Sequence, residues 1–446
     1  MPKIFPASLV LALGFPLAAL ADTAADINAL RQEIETIRSG YEQRLQALEQ
    51  RLKAAEAQAP APVAAIEAPP AAPGAGGGGA NAFNPALSLI LSGNYGRTSR
   101  DPASYAVTGF SLPAGSAAGP VGRGFSLAES ELTLAASIDP WLRGQASIAL
   151  HPDNTVSVEE AFVQTTSLGN GLTLKAGRFF SGIGYMNEQH AHVWDFADAP
   201  LAYQVFLGNQ FADDGLQLRW LAPTDLFLEA GAEVGRGRGF PGSDSSRNGA
   251  GASALFVHAG GDVGASHSWR AGLSMLNARP VDQMLNTSGA LGGSTSGAFS
   301  GHGRVWVGDF VYKWAPDGNG TRTNFKLQGE YLRSTRDGTL AEAAATSSYG
   351  SAQSGWYLQG VYQFMPRWRV GLRTERLDSG AVADPDLLTS AVYRPRKDTL
   401  MLEVNPSEFS RVRLQLARDR SRFGQSDNQL LLQYQMSLGA HGGHGF

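Results

Sequence analysis

The sequence predicts an all-β fold, a transmembrane antiparallel β-barrel of about sixteen strands, preceded by a short α-helical coiled coil. Three observations predict it. About sixteen segments alternate apolar and polar residues, each at roughly the ten-residue length that crosses a bilayer when tilted. The links between them are mostly short and long by turns, and aromatic residues gather where the segments end. Beyond residue 21 no stretch approaches the continuous apolar length of a transmembrane helix, so a spanning chain has to pair its backbone groups between strands.

The elements follow in chain order. Lys3 precedes an apolar run, 4–20, broken by Pro6, Gly14 and Pro16 and ending in Ala19-Leu20-Ala21, the small-residue pattern of a cleavage site. Residues 1–21 therefore read as an export signal cut after Ala21. The run is short for a membrane anchor and meets a polar segment at once. In 22–56 the apolar positions are Ile27, Leu30, Ile34, Ile37, Tyr41, Leu45, Leu48 and Leu52, three or four residues apart, a heptad seam with one stutter near Tyr41. A lone amphipathic helix packed on the barrel is the alternative. The narrow stripe, with Ile at successive a and d positions, favours self-association as a parallel trimer. Residues 57–83 are mostly Ala, Pro and Gly, with almost no charge and a tetraglycine at 76–79, a tether with too few side chains to build a core.

The barrel is assigned to 84–446, with strands at 87–97, 126–138, 141–150, 156–166, 172–180, 215–221, 226–235 and 252–263. The second half continues with 268–276, 304–314, 324–333, 355–364, 368–377, 392–404, 410–419 and 428–438. The last one shows the pattern best. Leu430, Leu432, Tyr434, Met436 and Leu438 line one face, and Gln429, Gln433, Gln435 and Ser437 the other, with Leu431 the exception. Short links such as 139–140, 222–225, 264–267 and 365–367 fall at every second position. Most links between them are long, including 98–125, 181–214, 236–251, 277–303 and 334–354, while 151–155 is brief. An even strand number then puts both barrel ends in the periplasm. Trp141, Trp220, Phe227, Trp306, Tyr312, Trp314, Phe364 and Trp368 suit the aromatic girdles at the two headgroup layers. The terminal Phe446 resembles a signal read during outer-membrane assembly.

Composition narrows the function classes. With no cysteine in 446 residues, thiol chemistry, disulfides and Cys-based zinc sites are excluded. A formal net charge of -4 offers no nucleic-acid footprint. No serine sits in a G-x-S-x-G elbow, and Glu159 and Glu160, as neighbours in a regular strand, point to opposite faces. A hydrolase at the outer rim would have to draw on His151, His190 or His192. The chain reads as no enzyme.

Lumen-facing residues carry the candidate site. Glu129, Glu131, Glu229 and Glu233 alternate with apolar residues in the first half and form an acidic wall. Arg369, Arg373, Arg411 and Arg413 form a basic wall in the last quarter. In a closed barrel of about sixteen strands the seventh faces roughly the fifteenth, so the two stripes are expected to confront each other across the lumen. Pairing of these charges along a solvated lumen is the plainer reading. The link 181–214 holds Glu188, His190, His192, Asp195 and Asp198 among Trp194, Phe196, Tyr203 and Phe206, a mixture too apolar to float in water. It is expected to fold inward as a constriction. His190 and His192, with carboxylates nearby, are the candidate ligands for a divalent metal such as zinc; otherwise the chain needs no cofactor. His441 and His444 invite the same idea.

Val158-Glu159-Glu160-Ala161-Phe162, Lys175-Ala176-Gly177-Arg178-Phe179, Tyr185-Met186-Asn187-Glu188-Gln189-His190, Asp427-Asn428-Gln429 and Ser437-Leu438-Gly439-Ala440-His441 carry a family resemblance. With the leader, coiled coil, Pro/Ala linker and barrel, the chain resembles the phosphate-selective porin superfamily of Gram-negative bacteria. That resemblance implies a homotrimeric diffusion channel in the lipid of the outer membrane, its N-terminal region in the periplasm. The lysine-poor lumen departs from the family, so phosphate selectivity is not carried over. Sequences with a similar His-bearing loop are sometimes named as zinc-regulated TonB-dependent receptors, which gives a metal-uptake alternative. Such receptors pair about 22 strands with a plug, and this chain looks too short for both. A third alternative is an envelope spacer whose coiled coil contacts peptidoglycan.

Overall fold

The computed structural model describes residues 85–439 apart from 114–117, 247, 289–293, 343–344 and 381–392. The expected leader, the seam from Ile27 to Leu52, the linker, and His441, His444 and Phe446 lie outside the described residues.

The first half of the sheet comprises β1 (Ala86–Thr98), β2 (Ser111–Leu112), β3 (Gly124–Leu127), β4 (Ser130–Ser137), β5 (Leu142–Leu150), β6 (Val156–Thr165), β7 (Leu172–Phe180), β8 (Ala212–Leu221), β9 (Phe227–Gly235) and β10 (Ala252–Val263). The second half comprises β11 (His267–Ala278), β12 (Gln283–Ser288), β13 (Ser294–Trp314), β14 (Asn324–Glu342), β15 (Ala345–Met365), β16 (Trp368–Asp378), β17 (Arg396–Ser407), β18 (Ser410–Arg420) and β19 (Asp427–Gly439). Wall neighbours run antiparallel, and β1 closes the cylinder against β19 from Ser88↔Gly439 to Thr98↔Gln429. β3 and β4 both pair with β1 and act as one wall strand broken at Ala128-Glu129. β2 and β12 pair with each other outside the wall, which leaves a closed barrel of sixteen strands.

Closure removes every sheet edge, so no backbone group need face lipid unpaired. The outer surface is an apolar belt: Leu174, Leu218, Leu255, Val257, Leu273, Leu358, Leu402 and Leu432 are exposed there, with Trp141, Trp220, Phe364 and Trp368 near the short turns. Many inward positions two residues apart are polar, as in Lys326, Gln328 and Glu330, which alternate with Leu327, Gly329 and Tyr331. Leu431, out of step with the lipid face of β19, is buried toward the lumen.

The spans 277–303 and 334–354, expected as long loops, are largely sheet. β13, β14 and β15 pair residue for residue up to Ala298↔Ala341 and Glu342↔Ala345, and β12 adds a further ribbon. Gly, Ser, Ala and Thr dominate this stretch, so the hydrophobic alternation that marks a strand is faint. Leu285, Phe299, Leu340 and Tyr349 nevertheless share a small core, enough to hold the tall ribbon together. Trp306 consequently lies midway along β13 rather than at its end.

Candidate functional site

The segment 181–211 leaves β7 and crosses the inside of the barrel before β8 begins. Its neck is closed by Asn187, fully buried, whose Nδ2 donates to the carbonyls of Ser181 (2.8 Å) and Phe211 (2.9 Å) while its Oδ1 accepts from the Phe211 N–H (2.8 Å). Glu233 of the expected acidic wall takes the Ser181 hydroxyl and the Gly182 N–H (2.8 Å), which fixes the first turn of the segment. At Gly184 the backbone has φ +67°, and a Cβ would stand 2.4 Å from the Glu330 carboxylate. Only glycine fits there.

Glu330, on β14, is the hub of the inner attachment. Its carboxylate accepts from the Met186 N–H (3.0 Å), Tyr203 Oη (2.7 Å) and Tyr357 Oη (2.6 Å). Helix α1 (Leu201–Leu207) has every residue buried, in an apolar core with Val107, Phe110, Ile183, Val305, Leu332 and Leu377. Its Leu201 N–H donates to Glu375 (2.6 Å), and Gly208 ends it in the left-handed region. Burial, followed by the nearby Glu330 carboxylate, drives the Tyr203 hydroxyl well above its ordinary pKa.

Between neck and helix, 188–198 forms a strap whose charges oppose those of the wall it meets. On the acidic side, His190 Nδ1 lies 3.0 Å from Glu131 Oε2 and 3.2 Å from Glu159 Oε2, and its Nε2 lies 3.1 Å from Glu160 Oε2. His192 Nδ1 is 3.0 Å from the same Glu131 oxygen. Burial works against charge on His190, but the three carboxylates outweigh it and raise its pKa well above the usual value. Glu188 pairs with Arg219. Arg219 is also 3.6 Å from Glu229, which meets His258 at 3.2 Å, while Glu129 lies 3.6 Å from His151.

On the basic side Asp195 pairs with Arg369 and, at 3.0 Å, with Lys326. Asp198 takes Arg373 Nη2 (2.8 Å), Gln415 Nε2 (2.6 Å) and Lys397. Burial alone would raise both carboxyls, but Lys326 and Arg369 around Asp195, and Arg373 and Lys397 around Asp198, hold them well below the usual carboxylate range. Arg411 donates to the His192 carbonyl and Arg413 to that of Trp194 (2.8 Å). Glu403 lies between Arg369 (2.9 Å) and Arg413 (3.0 Å).

Two expectations change. The acidic and basic stripes do not face each other across open space, because the strap lies between them and gives each stripe a local countercharge. Glu159 and Glu160 do not point to opposite sides either. Pairing of β5 and β6 steps from Ser147↔Glu160 to Ile148↔Val158, so Glu159 is the extra residue of a β-bulge and both carboxylates reach His190. Glu330, Glu375 and Glu403 were not singled out from sequence, and Lys326 and Lys397 were read only as part of a lysine-poor lumen. Each sits at an inward position two residues from another polar residue, so strand alternation held the signal.

No family model matches the sequence. Among solved structures, the fold is shared with a loop-L8 deletion mutant of OmpT, an outer membrane protein of Vibrio cholerae, at TM-score 0.50 and 11% identity over 80% of this chain and 99% of that one. An anion-selective porin from Comamonas acidovorans superposes with TM-score 0.46 and 11% identity over 80% of this chain and 99% of the other. An uncharacterized protein of Aquifex aeolicus (strain VF5) is 32% identical over 397 residues, 82% of this chain and 80% of that protein. Similarity of that depth and extent makes this chain a member of the same family as the Aquifex aeolicus protein.

Proposed function

We propose that this protein is a passive outer-membrane channel for small hydrophilic solutes or ions, narrowed by the internal strap. One observation carries the reading: a closed barrel, apolar outside and polar inside, is crossed by a segment bonded to opposite stretches of its inner wall. Lipid accepts the outer belt, closure satisfies the backbone, and apart from the apolar patch covered by α1 polar side chains line much of the inner wall. The resemblance to the phosphate-selective porin superfamily supports a homotrimer with the 27–52 seam in the periplasm. Phosphate selectivity is no part of the proposal, since the lumen is poor in lysine and Lys326 and Lys397 are already engaged by Asp195 and Asp198.

Reconstitution in planar bilayers tests it. Purified protein in potassium chloride is expected to give stable current steps that persist without an energy source. A silent bilayer, with the barrel shown to be folded by its β-sheet circular dichroism, would overturn the channel reading.

A further inference from the structure

The junction of the strap with the β4–β6 wall is built like a metal centre. His190 Nδ1 and His192 Nδ1 converge on one atom, Glu131 Oε2, each at 3.0 Å, and Glu159 Oε2 closes the group 3.2 Å from His190 Nδ1. The donor atoms of Glu131, His190 and His192 all lie within 4.8 Å of one another. A zinc ion with ligands at about 2.0–2.2 Å sets tetrahedral donors roughly 3.4 Å apart. The spacings of Glu131 to the two imidazoles need to open by only a few tenths of an ångström.

Three further features point the same way. Glu160 Oε2, 3.1 Å from His190 Nε2, occupies the place of the outer carboxylate that accepts the far N–H of a metal-bound imidazole and turns the near nitrogen's lone pair to the ion. Glu160 is itself fixed, its Oε1 accepting from the Phe180 N–H at 3.1 Å. The β-bulge at Glu159 delivers two adjacent carboxylates to one imidazole, which a regular strand cannot do. Carboxylates also gather here. Glu131, Glu159 and Glu160 crowd around His190 and His192, and the nearby cation Lys175 acts on Glu160.

We infer that Glu131, His190 and His192 bind one divalent transition cation of the zinc class, with Glu159 beside His190 and Glu160 orienting it. Two imidazoles select such an ion over calcium or magnesium, which prefer oxygen ligands. The bound ion ties the strap to the acidic wall. The inference concerns binding and holds independently of whether the lumen conducts.

Equilibrium dialysis of the full mature protein against zinc alone is expected to show a site occupied once per chain. It should withstand a thousandfold excess of calcium or magnesium, weaken at least 100-fold in His190→Ala/His192→Ala, and survive in His441→Ala/His444→Ala. Anomalous diffraction from wild-type crystals soaked in zinc locates the ion without relying on any variant folding, and a peak between His190 Nδ1, His192 Nδ1 and Glu131 is expected. No stoichiometric uptake, displacement by calcium, undiminished binding in the His190/His192 variant, or a peak only elsewhere would each overturn the assignment.

Discussion

Asp198→Asn removes one charge from the basic-side anchor while keeping its shape. The Asp198 carboxylate is bound by Arg373, Lys397 and Gln415, and the Lys397 side chain is 2% exposed, so the ammonium left behind cannot escape into water. Breaking a buried pair in this way costs about 3–5 kcal/mol. Glu375 remains 2.8 Å from Arg373 and offsets part of the loss, which puts the expected cost near the bottom of that range, about 3 kcal/mol. The barrel wall keeps all its backbone pairing, so the cost should fall on docking of the strap and not on the barrel. At 1.4 kcal/mol per decade, the open population of the strap rises about 100-fold. Hydrogen exchange read by mass spectrometry should show that acceleration in peptides covering 189–209 and none in β13–β15. Exchange within threefold of wild type, or equal acceleration of the wall strands, would refute the assignment of Asp198 as an anchor.

Other consequences are sharp enough to measure. Asn187→Ala strips three hydrogen bonds from a buried neck and should cost about 2–3 kcal/mol of local stability, seen as faster exchange at Ser181 and Phe211. The Asp198 carboxyl is held below its ordinary 3.8, so its contribution is complete above that value and is lost as pH falls through the lower docked value. The exchange difference between wild type and Asp198→Asn, corrected for intrinsic rates, should therefore be constant from pH 7 to pH 5 and shrink below pH 4. If residues 27–52 are the trimer seam, deleting 22–56 should convert trimers to monomers in light scattering while leaving the barrel folded; persistence of the trimer assigns the contact to the wall.

The wall was legible because it repeats. Lipid on one side and polar groups on the other impose a period of two on every strand, and sixteen recurrences outweigh the ambiguity of any one of them. The tall ribbon was hidden because Gly, Ser, Ala and Thr dominate it, so only a few residues such as Phe299, Leu340 and Tyr349 mark its buried face. Inward folding of 181–211 followed from its aromatic content, yet the partners of His190 could not follow from strand geometry. A bulge at Glu159 changes which face two glutamates share, and nothing in Val-Glu-Glu-Ala announces the extra residue. Glu330 was within reach of the same reasoning that found the arginines, since Gln328 and Glu330 alternate with Gly329 and Tyr331.

Whether the strap is held by local pairs or by a field between two charged walls can be decided with a second substitution. A field across the lumen depends on net charge and distance, so removing an anion at 198 and a cation at 397 should act almost independently. Local pairing predicts the opposite. In Asp198→Asn the Lys397 ammonium is buried without its closest carboxylate; Lys397→Met then removes the stranded charge and fills the space with a side chain of similar length. Groups in one network typically couple by 0.5–3 kcal/mol, and the pair here should lie in the upper part of that span, about 1.5–3 kcal/mol. Exchange of 189–209 in the double variant should accordingly be accelerated at least tenfold less than the two single-variant effects multiplied together. Free energies that add within about 0.5 kcal/mol would exclude direct pairing and return the weight to a field shared by the whole lumen.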